Sequence, residues 1–239
     1  MRRVVVMTLA YNRASFVAEA LERLEPGIEH VLVDVGYPIP SRTQNSQDLI
    51  ELALKRGSTY IRTPNRSVSK NWTFVHKLLG LKRGDILIGL DPDSRPREPG
   101  WVDTIVKVFD GDPSVAMVTL GGAWLMLPQH VNKPFSTEIV NGVEARFYHE
   151  LIQWPLMSFE CGFIEDCGGL GEWNAVYGYS EHWAEQRMGP LGRRWCVLPN
   201  IHDDCAPCPD PLYETWKELG RVRRVNCTFE EWLESRGNP

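Results

Sequence analysis

The sequence predicts an α/β fold, a mainly parallel sheet flanked by helices and followed by an irregular C-terminal region. Three observations predict it. Short apolar runs of strand length alternate with segments of helical period through the first half of the chain, the pattern that builds right-handed strand–helix–strand crossovers. Those runs are continuous, as strands buried on both faces are. Polar residues (Asn12, Asp34, Asp91 and Asp93) stand at the ends of successive runs, where open α/β sheets bind their ligands.

The elements follow in order. Val4 to Leu9 is a first strand; MRRVVVMTLA begins like a signal peptide, but Tyr11, Asn12 and Arg13 interrupt it and no A-x-A cleavage site follows. Ser15 is the expected N-cap of a helix in which Phe16, Val17, Ala20, Leu21 and Leu24 recur at helical spacing until Pro26-Gly27 stops it. His30 to Val35 is a second strand, Gln47 to Lys55 a helix, and Thr59 to Arg62 a short strand. A helix from about Lys70 to Leu79 precedes the strand Asp85 to Leu90; a helix from Trp101 to Phe109 precedes the strand Val115 to Leu120. Residues 121–175 are rich in Gly, Pro and aromatics without a helical period, so loops and a few irregular strands are expected there. Short helices are expected over 180–188 and 228–236.

With 239 residues, no repeat and no evident linker, the chain is expected to be one domain, 1–239, whose halves divide at residue 120. A net charge of −5 argues against a broad basic nucleic-acid footprint, and Arg221, Arg223 and Arg224 make the only dense basic patch. No apolar run approaches the ~20 residues of a membrane span, so a cytoplasmic protein is expected. The six cysteines all lie in the C-terminal third. His202, Cys205 and Cys208 with Cys227 could make a small zinc site, although the spacing matches common zinc ribbons poorly; reduced, partly buried thiols are the other reading.

The segment GDILIGLDPDSRPREPGW raises the functional question. Asp91-Pro92-Asp93 can be a turn, since these residue types dominate turns. It can equally be a clamp. In an extended backbone residues i and i+2 share a side, Pro92 stiffens the pair, and a bound Mg²⁺ or Mn²⁺ relieves the repulsion of two carboxylates while keeping positions open for phosphate oxygens.

The ordered set VVVMTLAYNR, VLVDVG, NRSVSKNWTFVHKLL and GDILIGLDPDSRPREPGW resembles the nucleotide-sugar-dependent glycosyltransferases of the GT-A fold, most closely the large family 2 type. CGGLGEWNAVYGYSEHWAEQRM and GRRWCVLPNIHDD continue the likeness, which covers roughly residues 3–204. The chain departs from the family pattern where Ser67 replaces a usual Gly, where the acidic pair reads Ser180-Glu181, and where Val35-Gly36 follows Asp34. The resemblance implies a transferase of the glycosyltransferase class, moving a sugar from a UDP- or GDP-linked donor to an acceptor hydroxyl with Mn²⁺ or Mg²⁺. Residues 1–120 would bind the nucleotide-sugar and 121–239 the acceptor. It implies that Tyr11, Arg13 and Asp34 line the base site, and that Lys70 and Asn71 approach the base or ribose. Asp91 would meet ribose or metal, Asp93 metal, and His202 would be a third metal ligand. Glu181 would be the general base of an inverting transfer, in the first turn of a helix capped by Ser180.

Each residue has a plainer reading. Asp34 could cap a turn, His202 could sit in a solvated loop beside Asp203 and Asp204, and Glu181 could only complement a helix dipole. Asp166, Glu172 and Asp203 compete as bases. Trp124, Trp154, Trp173 and Trp183 could stack on sugar or base rings, or simply pack. Other functions compatible with the residues are a sugar nucleotidyltransferase, for which LAYNRAS lacks the expected glycine-rich loop, a non-catalytic nucleotide-sugar-binding module, and a zinc-stabilised interaction protein. The acceptor stays open among saccharides, lipid-linked glycans, proteins and modified nucleic-acid bases.

Overall fold

The computed structural model describes residues 2–11, 14–35, 43–63, 68–127, 130–150, 156–170, 180–206, 212, 215, 216, 219 and 229–236. The first-half elements arise where the sequence places them: β1 (Val4–Ala10), α1 (Ala14–Glu22), β2 (Glu29–Asp34), α2 (Thr43–Arg56), β3 (Thr59–Arg62), α3 (Val68–Leu78), β4 (Ile86–Gly89), α4 (Trp101–Gly111) and β5 (Val115–Gly121). The second half adds β6 (Phe135–Val140), β7 (Val143–Tyr148), β8 (Met157–Glu160), α5 (Cys161–Asp166), α6 (Ser180–Met188), β9 (Arg194–His202) and α7 (Phe229–Ser235). Among the described residues nine strands form one sheet, in the order β3-β2-β1-β4-β8-β5-β9-β7-β6. β1 to β4 pair in parallel and β5 pairs in parallel with β9, while β8 lies antiparallel between β4 and β5. The predicted α/β fold class is therefore the observed one.

Continuous apolar runs are buried on both faces, as their sequence requires. Val6, Ala10, Leu32, Ile86 and Ile88 pack under α1, α2 and α4. Val5, Met7, Val31, Val33 and Leu87 pack under α3, α5 and α6. Trp72 fixes α3 to the sheet centre. Its ring is 2% exposed, meets Phe159 edge-on at 5.1 Å, and lies over Gly89, where a Cβ would come within 2.3 Å of it. Gly89 is thus the gap in β4 that the indole fills, two residues before Asp91.

Two expectations are corrected. Ser15 lies inside α1, one residue past its first, and is not its N-cap. Residues 121–175 contain more regular structure than their composition suggests. β6 and β7 form a hairpin around Asn141-Gly142, both at positive φ (47° and 79°), the geometry that an Asn-Gly pair favours between strands. β9 was also not foreseen as a strand. It follows β5 to Leu120–Leu198, loops out Pro199 to Ile201, and rejoins at Gly121–His202.

Gly89→Ala should overpack the core against Trp72 and cost about 1–3 kcal/mol, read as a lowered urea midpoint at unchanged slope. A midpoint equal to wild type would mean that the indole does not hold α3 to β4.

Candidate functional site

Because β1, β2, β4, β5 and β9 all run the same way, their carboxyl ends share one edge of the sheet. That edge collects Tyr11, Asp34, Asp91, Gly121 and His202-Asp203, as the polar strand ends of the sequence suggest. Asp91 to Ser94 is a β-turn: the Ser94 N–H donates to the Asp91 carbonyl at 2.9 Å. The pair is therefore not extended, and the shared-side argument for Asp91 and Asp93 does not describe it. Turn and clamp are not alternatives here, since a closed turn holds both carboxylates at the mouth of β4.

Two devices hold the turn. Arg95, 8% exposed, donates through Nη1 to the carbonyls of Pro92 and Ser94, both at 2.7 Å. Its Nη2 reaches α1 at the Phe16 carbonyl (3.3 Å) and Glu19 (3.0 Å). The second device is a short antiparallel ladder. Arg97 N–H donates to the His202 carbonyl, Asp204 N–H to the Arg95 carbonyl, and Ala206 N–H to the Asp93 carbonyl, at 2.9, 3.1 and 2.7 Å, with Pro96 facing Asp203. Gly121-Gly122 lets this segment approach. The Asp203 N–H donates to the Gly121 carbonyl at 2.8 Å, and a Cβ on Gly122 (φ +151°) would stand 2.6 Å from the Asp203 carbonyl.

The ladder's alternation separates His202 from Asp203. His202 is exposed, with its Nδ1 2.9 Å from Glu98 Oε1 and its N–H donating to Glu98 Oε2 at 2.6 Å. Asp204 pairs with Arg97 on the surface. Asp203 turns inward and is 2% exposed. Its Oδ1 accepts the Arg95 N–H at 2.5 Å, and its Oδ2 is buried without a hydrogen-bond partner among the described residues. Burial pushes its carboxyl up to about 6; bonds from the Arg95 N–H and Ser94 hydroxyl work against this, while the charges of Asp93 and Asp204 add to it. Arg95 and Asp203 are the site residues that reading the sequence undervalued. The only signal was position: Arg95 two residues past Asp93, Asp203 one past His202.

At the carboxyl end of β2, Asp34 is 1% exposed and its Oδ2 accepts from the Ser46 and Tyr60 hydroxyls, each at 2.7 Å. Burial, then Asp34, raises the Tyr60 phenol far above its ordinary value. Tyr11 stacks on Trp216 at 6.2 Å, so the C-terminal segment reaches the end of β1. Lys70 and Asn71 lie in the first turns of α3, Lys70 half-buried and Asn71 2% exposed, beside the Trp72 that packs on β4. Asn12, Arg13 and Asn65 lie outside the described residues.

Ser180 and Glu181 open α6, and their side chains lie outside the described set. Asp166 sits at the opposite, amino edge, paired with Arg83 at 2.5 Å, near Glu160, which caps α5 and binds Gly84 N–H and Arg193. Trp124 meets His130 edge-on at 5.8 Å beside Gly122, and Trp183 is buried under Arg187. Glu172, Trp154 and Trp173 lie outside the described residues. Cys161, Cys167 and Cys196 are free thiols, and burial pushes the Cys167 thiol up to about 11; Cys205 is exposed. Cys208 and Cys227 of the expected zinc set fall outside the description. Among the described residues no three His, Cys, Asp or Glu side chains gather closely enough to hold a metal ion, and no helix is long and apolar enough to cross a membrane.

No protein-family profile and no curated protein matches the chain in sequence. Solved structures do match its fold. GalNAc-T7 with UDP, GalNAc and Mn²⁺ superposes with a TM-score of 0.58 at 13% identity, over 86% of this chain and 44% of that one. Glucosyl-3-phosphoglycerate synthase from Mycobacterium tuberculosis, with Mn²⁺, UDP and glucosyl-3-phosphoglycerate, gives 0.58 at 14% identity over 100% of this chain and 81% of that one. CMP:2-keto-3-deoxy-manno-octonic acid synthetase with CTP gives 0.53 at 13% identity over 93% of this chain and 100% of that one. The chain thus spans less than half of the GalNAc-T7 chain, and the fold it shares is the GT-A fold.

Arg95→Met keeps the side-chain bulk but removes its donors to the turn carbonyls. Hydrogen bonds from charged donors are worth about 1.5–3 kcal/mol each, so exchange of the Ser94 amide should quicken at least tenfold relative to amides of β1. Unchanged protection would mean that Arg95 does not hold the turn.

Proposed function

We propose that the protein is a divalent-cation-dependent glycosyltransferase that takes a sugar from a UDP- or GDP-linked donor and passes it to an acceptor hydroxyl with inversion. The observation that carries this reading is the Asp91–Ser94 turn, braced by Arg95 at the carboxyl edge of the sheet, in a fold shared with solved structures that contain UDP and Mn²⁺. The donor set fits the cation. Asp91 and Asp93 offer hard oxygen ligands on a stiff turn, and a site with two carboxylates suits an ion whose remaining positions go to phosphate oxygens. When bound, Mn²⁺ or Mg²⁺ supplies positive charge to the diphosphate as it leaves.

The chain's own residues do the rest. Tyr11, Arg13, Asp34, Lys70 and Asn71 hold the nucleotide. The Ser46 and Tyr60 hydroxyls preset the Asp34 carboxylate, so its orientation costs nothing further when donor binds. Asp91 serves ribose or metal. Glu181, in the first turn of α6, accepts the proton of the acceptor hydroxyl; that oxygen bonds to the anomeric carbon as the bond from this carbon to the diphosphate oxygen breaks. The helix N-terminus favours the ionised carboxylate that a base requires.

A second reading, a sugar nucleotidyltransferase, is favoured by the match along the whole length of the CTP-bound synthetase. The two differ in product: nucleoside diphosphate from the first, pyrophosphate from the second.

A panel of nucleotide-sugars, and of CTP or UTP with free sugars, each with and without Mn²⁺, tests the reading by thermal shift and product release. At least one UDP- or GDP-sugar should raise the melting temperature only with Mn²⁺, and Asp93→Ala should abolish the rise. Glu181→Gln should keep donor binding and lose about 100-fold or more in turnover. No Mn²⁺-dependent response to any nucleotide-sugar in the wild type would contradict the proposal, and pyrophosphate release would favour the second reading.

A further inference from the structure

The inference concerns which group joins Asp93 at the cation, and it rests on the function proposed above. The family likeness points to His202. The ladder points elsewhere. His202 and Asp204 share the solvent side, where Glu98 takes both the ring and the backbone N–H of His202 and Arg97 takes Asp204. Asp203, between them, turns inward beside the Asp91–Ser94 turn, with Oδ1 tied to the Arg95 N–H. A buried carboxylate oxygen with no partner is costly, and Oδ2 of Asp203 is one among the described residues. The chain goes to some length to keep it there. Gly121 accepts the Asp203 N–H, Gly122 leaves room for its carbonyl, and Ala206 ties the next stretch to Asp93.

We propose that Asp203, through its unpartnered Oδ2, is the second protein carboxylate of the Asp93 cation site, in place of His202. A hard, wholly oxygen donor set follows, which favours Mg²⁺ or Mn²⁺ over Zn²⁺. The cation replaces the partner that Oδ2 lacks, and the Arg95 N–H on Oδ1 fixes the carboxylate's orientation, as second-sphere bonds do for metal ligands.

Mn²⁺ binding, measured by the loss of the free-ion electron paramagnetic resonance signal with UDP present, separates the candidates without any turnover. Asp203→Asn should weaken Mn²⁺ binding at least about tenfold, as Asp93→Ala should, while His202→Ala should stay within about twofold of wild type. Asp203→Asn retains an oxygen for the Arg95 N–H and should melt no lower than wild type without metal. A purely structural carboxylate would instead give a lower melting temperature and unchanged Mn²⁺ affinity. If Asp203→Asn does not fold, Asp203→Ser, which keeps a hydroxyl acceptor, carries the same test. Mn²⁺ binding lost in Asp93→Ala but retained in the folded Asp203 variant overturns this inference alone. No Mn²⁺ binding by wild type in the presence of UDP overturns the proposed function, and this inference with it.

Discussion

The Arg95 guanidinium is the contact on which the site depends. It is almost wholly buried, yet its donors are spent on the two carbonyls of the Asp91–Ser94 turn and on α1. A buried cation is tolerated only when its hydrogen bonds are satisfied, so the guanidinium can rest in one place only, and the turn is fixed with it. Its own backbone N–H fixes Asp203 in the same stroke. Asp93 and Asp203 are thereby held at one sheet edge, where the charge of Asp93 opposes ionisation of the Asp203 carboxyl. The dication of the proposed function would relieve that repulsion.

The rest of the fold brings segments distant in sequence to that contact. β4 delivers the turn, and Trp72 filling the gap at Gly89 ties β4 to α3, which carries Lys70 and Asn71. β5 ends in Gly121-Gly122, whose missing side chains let residues 202–206 run beside residues 93–97. The carboxyl end of β2 is preset in the same manner, with Asp34 held by Ser46 and Tyr60 from the following helix and strand. Asp34, Asp203 and the Asp91–Ser94 turn are thus oriented by hydrogen bonds made within the fold, the condition for a site to act without reorganising.

The first half of the fold was legible because its strands are buried on both faces and its helices carry regular apolar spacing; Val4–Ala10 and Trp101–Gly111 follow directly from the run and the period. The second half was less so. β8 inserts antiparallel between β4 and β5, a long-range pairing that no local pattern announces. The β6–β7 hairpin carries its turn signal in Asn141-Gly142, but the surrounding composition reads as loop and masks the strands. At the candidate site, the series of polar strand ends pointed to one edge of the sheet, and strand direction alone gathers them there. What the sequence could not convey was side-chain parity. His202 and Asp203 are neighbours, and only the ladder with residues 93–97 decides which faces in.

The central claim is that the Asp91–Ser94 turn at the carboxyl edge of β4 is where a divalent cation and a nucleotide diphosphate meet. A crystal structure of the protein grown with Mn²⁺ and UDP, with anomalous data collected at the manganese edge, tests it most directly. The expected result is a single strong peak within coordination distance of Asp93, bridged to the diphosphate, with the base lying towards Asp34 and Tyr11. A peak at His202 and Cys205 away from the turn, or UDP bound with no manganese at Asp93, would contradict it.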